Sequence, residues 1–386
     1  MRVLIVSHLA LPHVGGVEVL VDREIRALAE AGHEVTLITS DGTGQAQSPA
    51  YSPAVRIERV RAWHVLERHF RLPFPIFSPW LLAALWRASG AADVIHIHGC
   101  MFLSSLAAAL IGRLRGRPII LTDHGGIQQF DARWKSILAR LGAETAGRIT
   151  ACCADRLVAY NTRITRLLEQ LTGRAGRAMF LPNPVDRSLF RPVDDACRQE
   201  LRSRLGWTDG RPRVLFVGRL TTEKGVPLLL ECMDPSRYDL VFCGAGDSGL
   251  LGPLPRAGVE YRPPRPQREL AALYQAADLL VVPSKVREGF PLVVQEGLAC
   301  GLKVVLGDDP GFAPYRRLTG LQLCQATVAD VRRAIVAALE NPADFRPAAE
   351  LAEFCPSAER WIERMYGDHA RRSGPSRLAA AQTACP

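Results

Sequence analysis

Two glutamates, Glu288 and Glu296, stand eight positions apart in the C-terminal half of the chain. The residues between them predict a helix from Leu292 to Cys300, because Pro291 suits a first helical turn and Gly301 suits a helix end. Free N–H groups at a helix N-terminus bind phosphate, and carboxylates accept hydrogen bonds from hydroxyl groups. The pattern therefore suits a ligand that carries both phosphates and hydroxyls, as a sugar nucleotide does.

The segment before these glutamates argues against a purely structural role, in which Glu288 caps the helix and Glu296 lies on a solvated face. Asp278 to Val282 is typical of a buried strand, and Pro283-Ser284 ends it. In open α/β sheets, ligands bind at the carboxyl ends of the strands. The loop that carries Glu288 is therefore predicted to lie at a ligand-binding edge.

Two cations follow another predicted strand, Arg213 to Val217. Arg219 and Lys224 can pair with a neighbouring carboxylate such as Glu223, or they can bind the phosphates of a ligand. If they face a helix N-terminus across a cleft, the two side chains form a clamp for a diphosphate.

Glycines follow two of the predicted strands. Gly15-Gly16 precedes a predicted helix from Val17 to Ala31 and lets the backbone approach a phosphate, although a glycine pair is more often a simple turn. This first loop lacks the Gly-x-Gly-x-x-Gly pattern, which argues against a nicotinamide enzyme. Gly244 begins a run that does match the pattern, and we interpret it as a turn that lets the backbone approach a ligand.

Histidines also stand near predicted strand ends. His124 follows a strand and precedes a glycine pair, so that the chain turns toward the cleft, and Asp123 can orient its ring. His96 and His98 lie on or beside a predicted core strand, and we interpret them as structural. His124 is therefore the histidine expected to act on a ligand.

Composition indicates an ordinary globular protein. The 386 residues are 48% hydrophobic and 23% charged, which predicts two domains with separate cores. Ten cysteines are scattered without a metal-ligand spacing, which indicates reduced thiols and no metal site. The pattern of a signal peptide and an apolar run of ~20 residues are both missing, so we expect a cytoplasmic protein.

The segment 51–118 is basic and rich in aromatic residues, with nine arginines against three acidic residues. Such a segment can rest on an anionic membrane surface, or it can form a solvated face over a core. Nucleic acid is not an expected partner, because no nucleic-acid motif accompanies the charge. The membrane alternative predicts a peripheral location at the inner membrane face. The aromatic residues are Trp63, Phe70, Phe74, Phe77, Trp80 and Trp86.

Strands and helices alternate along the chain, which predicts a doubly wound α/β architecture with two parallel sheets. Prolines between residues 182 and 192 break the alternation and mark a domain boundary. A ligand cleft is expected between the two domains. The predicted organisation is a first domain over 1–190, a linker over 191–210, a second domain over 211–356, a C-terminal helix over 357–372 that crosses back to the first domain, and a disordered tail over 373–386.

Taken together, these segments resemble the retaining GT-B glycosyltransferases of family 4, and the resemblance covers about residues 2 to 366. It implies two Rossmann-like domains that face each other across a cleft, and a nucleotide-diphosphate-sugar donor. The segments that carry it are Gly15-Gly16, Thr122-Asp123-His124-Gly125, Pro182-Asn183-Pro184-Val185-Asp186, Gly218-Arg219, Lys224-Gly225, Gly244-Ala245-Gly246-Asp247, and Pro283-Ser284 through Glu288-Gly289-Phe290-Pro291 to Glu296-Gly297.

The resemblance also implies a role for each matching residue. Arg219 and Lys224 neutralise the donor diphosphate, and Glu296 holds the ribose. Glu288 contacts the sugar hydroxyls, and His124 lies beside the anomeric carbon; with the two cations they are the implied catalytic residues. No metal or other cofactor is implied, because side-chain cations and a helix dipole take its place. Further donor contacts are implied at Gly15, Gly16, Gly244, Gly289, Phe290, Pro291, Leu292 and Val293.

The chain departs from the family pattern in two places. Gly301-Leu302-Lys303 stands where the family usually has Gly-x-Pro, and 308–313 replaces a more glycine-rich turn. Both changes concern contacts with the base or the sugar of the donor, and they leave the implied phosphate and ribose ligands in place.

The implied activity is metal-independent transfer of a sugar, with retention of anomeric configuration, from a nucleotide-diphosphate sugar to an acceptor. A glycan or lipid-linked acceptor of the cell envelope is the expected partner. Two alternatives use the same fold. The first is a sugar-nucleotide hydrolase or epimerase, and the second is a nucleotide-sugar-binding protein without turnover.

Overall fold

The computed structural model describes residues 1–13, 15–42, 49–70, 72, 74–126, 133–286, 289–341, 350–351 and 354–373. These residues form two compact units, of which unit 1 begins with Met1–Asn183 and unit 2 is Pro184–Ser357. Each unit is built on a parallel sheet with helices packed on it. The predicted α/β fold with two parallel sheets is confirmed.

Unit 1 has a seven-stranded parallel sheet within the described residues, in the order β3-β2-β1-β6-β7-β8-β9. The order reverses between β1 and β6, which is where such sheets open a crevice for ligands. The strands are β1 (Arg2–Ser7), β2 (Glu34–Ser40), β3 (Val55–Val60), β6 (Val94–His98), β7 (Ile119–Thr122), β8 (Arg156–Ala159) and β9 (Ala178–Phe180), with a separate antiparallel pair of β4 (Ala62–Trp63) and β5 (Ile76–Phe77).

Helices cover both faces of this sheet, and a π-helical turn (Ala143–Gly147) joins two of them. Helix α1 begins at Gly16, and its buried stripe includes Val21, Ile25 and Leu28, which pack on the sheet. The helices are α1 (Gly16–Glu30), α2 (Val65–Phe70), α3 (Trp80–Ala91), α4 (Leu103–Leu114), α5 (Arg133–Gly142), α6 (Arg148–Cys153) and α7 (Thr162–Thr172).

Unit 2 has a six-stranded parallel sheet within the described residues, in the order β12-β11-β10-β13-β14-β15. The order reverses between β10 and β13. The strands are β10 (Arg213–Val217), β11 (Asp239–Cys243), β12 (Val259–Arg262), β13 (Leu279–Val282), β14 (Lys303–Gly307) and β15 (Leu321–Cys324). The helices are α8 (Asp195–Leu205), α9 (Val226–Cys232), α10 (Gln267–Ala276), α11 (Leu292–Ala299) and α12 (Val328–Glu340), with 3₁₀ turns at Ser248–Leu251 and Pro310–Arg317.

The C-terminal helix, α13 (Ala358–Ser373), belongs to unit 1. Trp361, Ile362, Met365 and Tyr366 form one apolar face, since positions four apart meet on a helix surface, and they pack into the core with β1 and α1. The predicted disordered tail, apart from Ser373 itself, lies outside the described residues.

The predicted linker over 191–210 is wrong, because most of this segment forms helix α8, which is part of unit 2. Asp194 caps this helix by accepting a hydrogen bond from Cys197 N at 2.8 Å. Arg202 on α8 donates to Asp278 at 3.0 Å, just before β13. The first domain also ends before residue 190, since Phe190 belongs to unit 2 and packs edge-on against Tyr274 at 6.0 Å between ring centroids. Prolines marked the boundary, but capping and ion pairing make the segment after it a helix.

All nine cysteines of the described residues are free thiols, and most are buried. None of the helices formed by the described residues has both the length and the hydropathy needed to cross a bilayer.

Candidate active site

The loop after β10, residues 218–225, is joined by backbone hydrogen bonds to the loop after β11. Leu220 N donates to Ala245 O at 2.7 Å, and Leu220 O accepts from Asp247 N at 3.0 Å. Both loops emerge at the carboxyl edge of the unit 2 sheet, beside the point where strand order reverses. The backbone of this edge is therefore fixed by paired loops rather than by side chains.

Glycine is required where these loops meet. Gly244 has φ +150°, and a Cβ atom there would lie 1.9 Å from Gly218 O. Gly225 has φ +81°, and a Cβ atom there would lie 2.4 Å from Pro283 O in the loop after β13. These are distances at which no side chain fits. The loops after β10, β11 and β13 thus approach one another more closely than any other residue type permits.

Arg219 and Lys224 are carried by this fixed loop. Arg219 is exposed, and Lys224 is half-buried one residue before Gly225. A backbone bond from Lys285 N to Glu223 O, 2.8 Å long, holds the loop after β13 against the segment that carries Lys224. That second loop continues to the start of helix α11, so the predicted cations and the predicted anion-binding helix end belong to the same sheet edge.

Helix α11 spans Leu292–Ala299, in agreement with the predicted helix, and Gly301, with φ +90°, follows its C-cap residue Cys300. Pro291 occupies the cap position, with ψ 130°, rather than the first helical turn that its sequence position suggested. Phe290 is buried and stacks on Tyr315 with ring centroids 3.5 Å apart, which anchors the approach to the helix. Residues 287–288, and with them Glu288, lie outside the described residues.

Glu296 is buried inside unit 2, with 3% of its surface exposed, so the alternative of a solvated face is wrong. Tyr274 on α10 donates its hydroxyl to Glu296 Oε2 at 3.1 Å. Burial and the neighbouring Glu296 carboxylate raise the pKa of Tyr274 well above its usual value, so the phenol keeps its proton and remains a donor. The carboxylate is therefore held in place by a tyrosine that the sequence analysis did not single out.

A cavity of about 210 Å³ opens at the same edge, between the loops after β13 and β14. Its wall includes residues 308–310 and Phe312, which belong to the segment where the chain departs from the family pattern. A Cβ atom on Gly307 would lie 2.7 Å from Ser284 O, so glycine again permits the close approach of two loops. The departure therefore alters the lining of a cavity beside the predicted donor site.

Gly15 and Gly16 lie at the N-terminus of α1 in unit 1. Glu18 folds back beside them, since a Cβ atom on Gly15 would lie 2.3 Å from Glu18 Oε2. His13 Nδ1 lies 3.0 Å from the other oxygen of Glu18, and this hydrogen bond raises the pKa of His13. The glycine pair is therefore flanked by an acid–base pair at the N-terminus of the helix.

His124 lies at the carboxyl edge of the unit 1 sheet, immediately after β7, and is buried. Its Nε2 lies 2.8 Å from His98 Nδ1, and its Nδ1 lies 2.9 Å from the Tyr160 hydroxyl. Burial lowers the pKa of His124 well below its usual value, so the ring is neutral near pH 7. Asp123 does not orient this ring as predicted, because its carboxylate accepts from backbone N–H groups, including Gly126 N at 2.6 Å.

His96 and His98 are buried, as predicted, but they belong to a polar cluster rather than to an apolar core. Glu24 on α1 lies between them, 2.6 Å from His96 Nδ1 and 3.1 Å from His98 Nε2. Tyr366 on α13 also donates to Glu24. Glu24 was not among the predicted site residues, although it lies beside the apolar stripe of α1, where an acidic residue requires a buried partner.

Both units contribute to matches with known families. Residues 14–189 match the sequence profile described as Glycosyltransferase Family 4. Residues 198–353 match the profile described as Glycosyl transferases group 1. The two matched ranges correspond to most of unit 1 and most of unit 2.

Curated relatives cover most of the chain. A D-inositol 3-phosphate glycosyltransferase of Catenulispora acidiphila is 32% identical over 333 residues, which are 78% of this chain and 77% of that protein. A GDP-mannose-dependent alpha-mannosyltransferase of Mycolicibacterium smegmatis is 33% identical over 336 residues, which are 84% of each protein.

Among solved structures, HepE of Anabaena in complex with UDP matches with a TM-score of 0.72 at 16% identity. The match covers 96% of this chain and all of HepE, so the similarity of fold extends through both units.

Proposed function

Because the chain belongs to glycosyltransferase family 4 and is a transferase with the GT-B fold, we propose that it moves a sugar from a nucleotide-diphosphate donor to an acceptor with retention of anomeric configuration. The main support for a donor site comes from the carboxyl edge of the unit 2 sheet. There, three loops approach one another through glycines, and one of them carries Arg219 and Lys224.

The chemistry follows from charge. Cleavage of a glycosyl–phosphate bond leaves negative charge on the departing diphosphate and positive charge on the sugar ring. Arg219 and Lys224 neutralise the diphosphate, together with the N–H groups at the start of α11. Fixed donors of this kind stabilise developing charge without reorganisation, which removes the need for a metal ion or another cofactor. The departing phosphate then takes the proton of the attacking acceptor hydroxyl, so no protein nucleophile is required.

Carboxylates recognise the hydroxyl groups of the donor. Glu296 accepts from the ribose hydroxyls, and Tyr274 fixes the orientation of its carboxylate. Glu288 contacts the transferred sugar, and His124 acts beside its anomeric carbon. The GDP-mannose dependence of one relative and the UDP bound to HepE favour a UDP- or GDP-hexose as the donor. A glycan or lipid-linked precursor of the cell envelope is the proposed acceptor.

The decisive experiment screens the purified protein against a panel of nucleotide sugars by thermal shift, and then measures nucleotide release with candidate acceptors. A donor at a hundred times its dissociation constant should stabilise the protein by about 2.7 kcal/mol. Release that needs an acceptor supports transfer, and an α-linked product from an α-linked donor supports retention. Nucleotide release without an acceptor would indicate a hydrolase. Conversion of the donor sugar into its epimer would indicate an epimerase. Binding of the donor without nucleotide release would indicate a protein that binds nucleotide sugars but does not turn them over.

We also propose that unit 1 contacts an anionic membrane through helices α3 and α4, which lie in the predicted stretch 51–118, and through helix α5, which follows that stretch. None of these three helices contains an acidic residue, and large apolar side chains project from each into solvent. Trp80 is 76% exposed and Leu114 is 77% exposed, whereas Arg115 lies over the Trp86 ring at 4.4 Å. Aromatic and basic side chains on one face bind the boundary between headgroups and acyl chains.

Vesicle co-sedimentation tests the membrane contact. Wild-type protein should sediment with vesicles rich in phosphatidylglycerol and remain in solution with phosphatidylcholine vesicles. Trp134→Ser and Arg140→Glu on α5 should weaken sedimentation, and Arg333→Glu on α12 of unit 2 is the matched control that should leave it unchanged. Equal sedimentation with neutral and anionic vesicles would rule out the electrostatic part of the contact.

A further inference from the structure

A chain of buried side chains connects α1 to His124 through the sheet of unit 1. Glu24 Oε2 lies 3.1 Å from His98 Nε2, and His98 Nδ1 lies 2.8 Å from His124 Nε2. The far side of the His124 ring, at Nδ1, lies 2.9 Å from the Tyr160 hydroxyl. Glu24, His98 and His124 are each more than nine-tenths buried, and the rings of the two histidines are nearly parallel at 10°.

Glu24 is fixed by hydrogen bonds at Oε1, whereas Oε2 faces His98 Nε2 at 3.1 Å as an ion-pair contact that lacks hydrogen-bond geometry. Oε1 accepts from Tyr366 and from His96 Nδ1, which lies 2.6 Å away, and Thr122 holds the other side of the His96 ring at 2.8 Å. Burial alone raises the pKa of a carboxyl group, but His96 and His98 outweigh that effect and lower the pKa of Glu24. Glu24 is therefore a carboxylate near pH 7, so it accepts hydrogen bonds from its neighbours and donates none.

The position of each proton along this chain follows from the carboxylate. Because the negatively charged Oε2 of Glu24 lies 3.1 Å from His98 Nε2, its charge favours the proton of His98 on that nitrogen. A neutral His98 then accepts at Nδ1, which requires the proton of His124 to be on Nε2. The remaining nitrogen of His124, Nδ1, accepts from the Tyr160 hydroxyl. Tyr160 has one hydroxyl proton, which it shares between this ring nitrogen and the carbonyl oxygen of His124, 3.0 Å away.

We propose that Glu24 and His98 are positioning residues that fix the tautomer and the ring orientation of His124. The inference rests on the proposed function, since it concerns the histidine assigned to the donor sugar. Both ring nitrogens of His124 are engaged within unit 1, so this histidine does not act as a proton acceptor for the acceptor hydroxyl. It presents a neutral ring and a carbonyl oxygen of fixed orientation to the positive charge that develops on the sugar.

Nitrogen-15 NMR of the full-length protein, labelled at histidine, tests the chain without any substrate. Single His98→Gln and His124→Gln variants assign the two rings. The expected result is a neutral ring with the proton on Nε2 for both histidines. Glu24→Gln should shift His124 toward the other tautomer, because an amide can donate to His98 as well as accept from it. Glu30→Gln, an exposed carboxylate-to-amide change on the same helix, is the matched control and should leave both tautomers unchanged.

Turnover with the donor found in the nucleotide-sugar screen supplies a second readout. Glu24→Gln should lower kcat by on the order of 10²-fold, the loss expected when a reacting group is displaced by about 1 Å. The KM for the donor should stay the same, because the diphosphate is assigned to unit 2. Glu24→Asp, which keeps the charge, should restore part of kcat. A rise in KM with kcat unchanged would contradict a positioning role.

Two results would overturn the inference while leaving the proposed function intact. One is a wild-type His124 that carries its proton on Nδ1, a result that needs no variant to fold. The other is one equivalent of zinc in the purified protein that is lost in Glu24→Gln, because ligand atoms of Glu24, His96 and His98 lie within 4.8 Å of one another. If the protein turns over no nucleotide sugar, the proposed function fails, but the NMR measurement of the histidine tautomers still tests the positioning of His124.

Discussion

The carboxyl edges of the two sheets position chemical groups in different ways. In unit 2, glycines at positive φ bring the loops after β10, β11 and β13 into contact, and the backbone itself forms most of the edge. In unit 1, three buried ionisable side chains, Glu24, His98 and His124, form the edge. All nine histidines of the chain lie in unit 1 or its C-terminal helix, and unit 2 has none.

This difference matches what each edge is proposed to bind. A diphosphate has many acceptor oxygens and a constant shape, so closely packed backbone N–H groups and two cations suit it. A reacting sugar carbon needs a group of defined protonation and orientation, and a series of buried side chains in contact with one another provides both. The two edges should therefore fail differently. In unit 2, substitutions that add side-chain volume or remove a positive charge should have the largest effects. In unit 1, substitutions that change the chemistry of a side chain but keep its shape, such as Glu to Gln, should have the largest effects.

The largest effect is expected from the cations of unit 2. Lys224→Ala should lower kcat/KM by about 10²- to 10³-fold, on the order of 3 to 4 kcal/mol, because a fixed donor to the departing diphosphate is lost. Steady-state kinetics with the identified donor measures this loss. Arg333→Ala, an exposed arginine on α12 with its partner one turn away, is the control. Equal activity of Lys224→Ala and wild type would show that Lys224 does not bind the departing diphosphate.

The backbone character of the unit 2 edge is tested by adding a methyl group. Gly244→Ala should destabilise unit 2 by about 3 kcal/mol, because its Cβ would lie 1.9 Å from Gly218 O at a φ that other residues avoid. Gly206→Ala in unit 2 is the control, since Gly206 is in the left-handed helical region at φ +80° and ψ 17°, and no described atom lies within 4 Å of where its Cβ would be. It should cost about 1 kcal/mol. Urea unfolding measures both, and equal costs would show that strain rather than close approach explains the glycine.

Most of the architecture was predictable because central parallel strands are continuous apolar runs. The predicted strands include β1, β6, β7, β10 and β13, which are buried on both faces. The strands β3, β12 and β15 were not predicted. Each lies at an end of its sheet and carries polar residues between apolar ones, as in Val259–Arg262, so its pattern resembles a loop.

The site was only partly predictable, and the reason is again physical. Phosphate-binding loops are local in sequence, so Arg219, Lys224 and helix α11 were recognisable from glycines, prolines and charge. The chain from Glu24 to His124 joins elements that are far apart in sequence, and only the strand order β1-β6-β7 brings them together. The one local signal was a glutamate beside an apolar helical stripe, and Tyr274 gave none.

Acid should distinguish the two units, because only unit 1 contains histidines. His8 is buried and stacks on Phe102 at 3.5 Å, and burial, followed by His13 and His98, lowers the pKa of His8 to about 3. The unfolded chain binds this proton below pH 6.5, so the stability that His8 contributes is complete above pH 6.5 and is lost as pH falls toward 3. From pH 7 to pH 5 this amounts to roughly 2 kcal/mol for His8 alone.

Hydrogen exchange as a function of pH measures this difference by region. Amides of β1 and β6 should exchange faster at pH 5 than at pH 7, after correction for intrinsic rates, whereas those of β10 and β13 should change little. His8→Gln should reduce the change in unit 1. The burial of His98 and His124, which lowers the pKa of both, adds in the same direction, and the raised pKa of His13 opposes it. Equal acid sensitivity of both units would contradict the comparison.

The smallest expected effect concerns Glu296, the place where unit 2 resembles unit 1 in relying on a buried side-chain pair. Tyr274→Phe removes the hydroxyl that donates to Glu296 at 3.1 Å and should destabilise unit 2 by about 1 to 2 kcal/mol, because a buried carboxylate loses a partner. In a Glu296→Gln background the same change should cost less, since a neutral amide tolerates the loss better. A double-mutant cycle by urea unfolding measures the coupling. A coupling energy of zero would show that the tyrosine packs against the glutamate without holding it, and the edge of unit 2 would then be a backbone structure throughout.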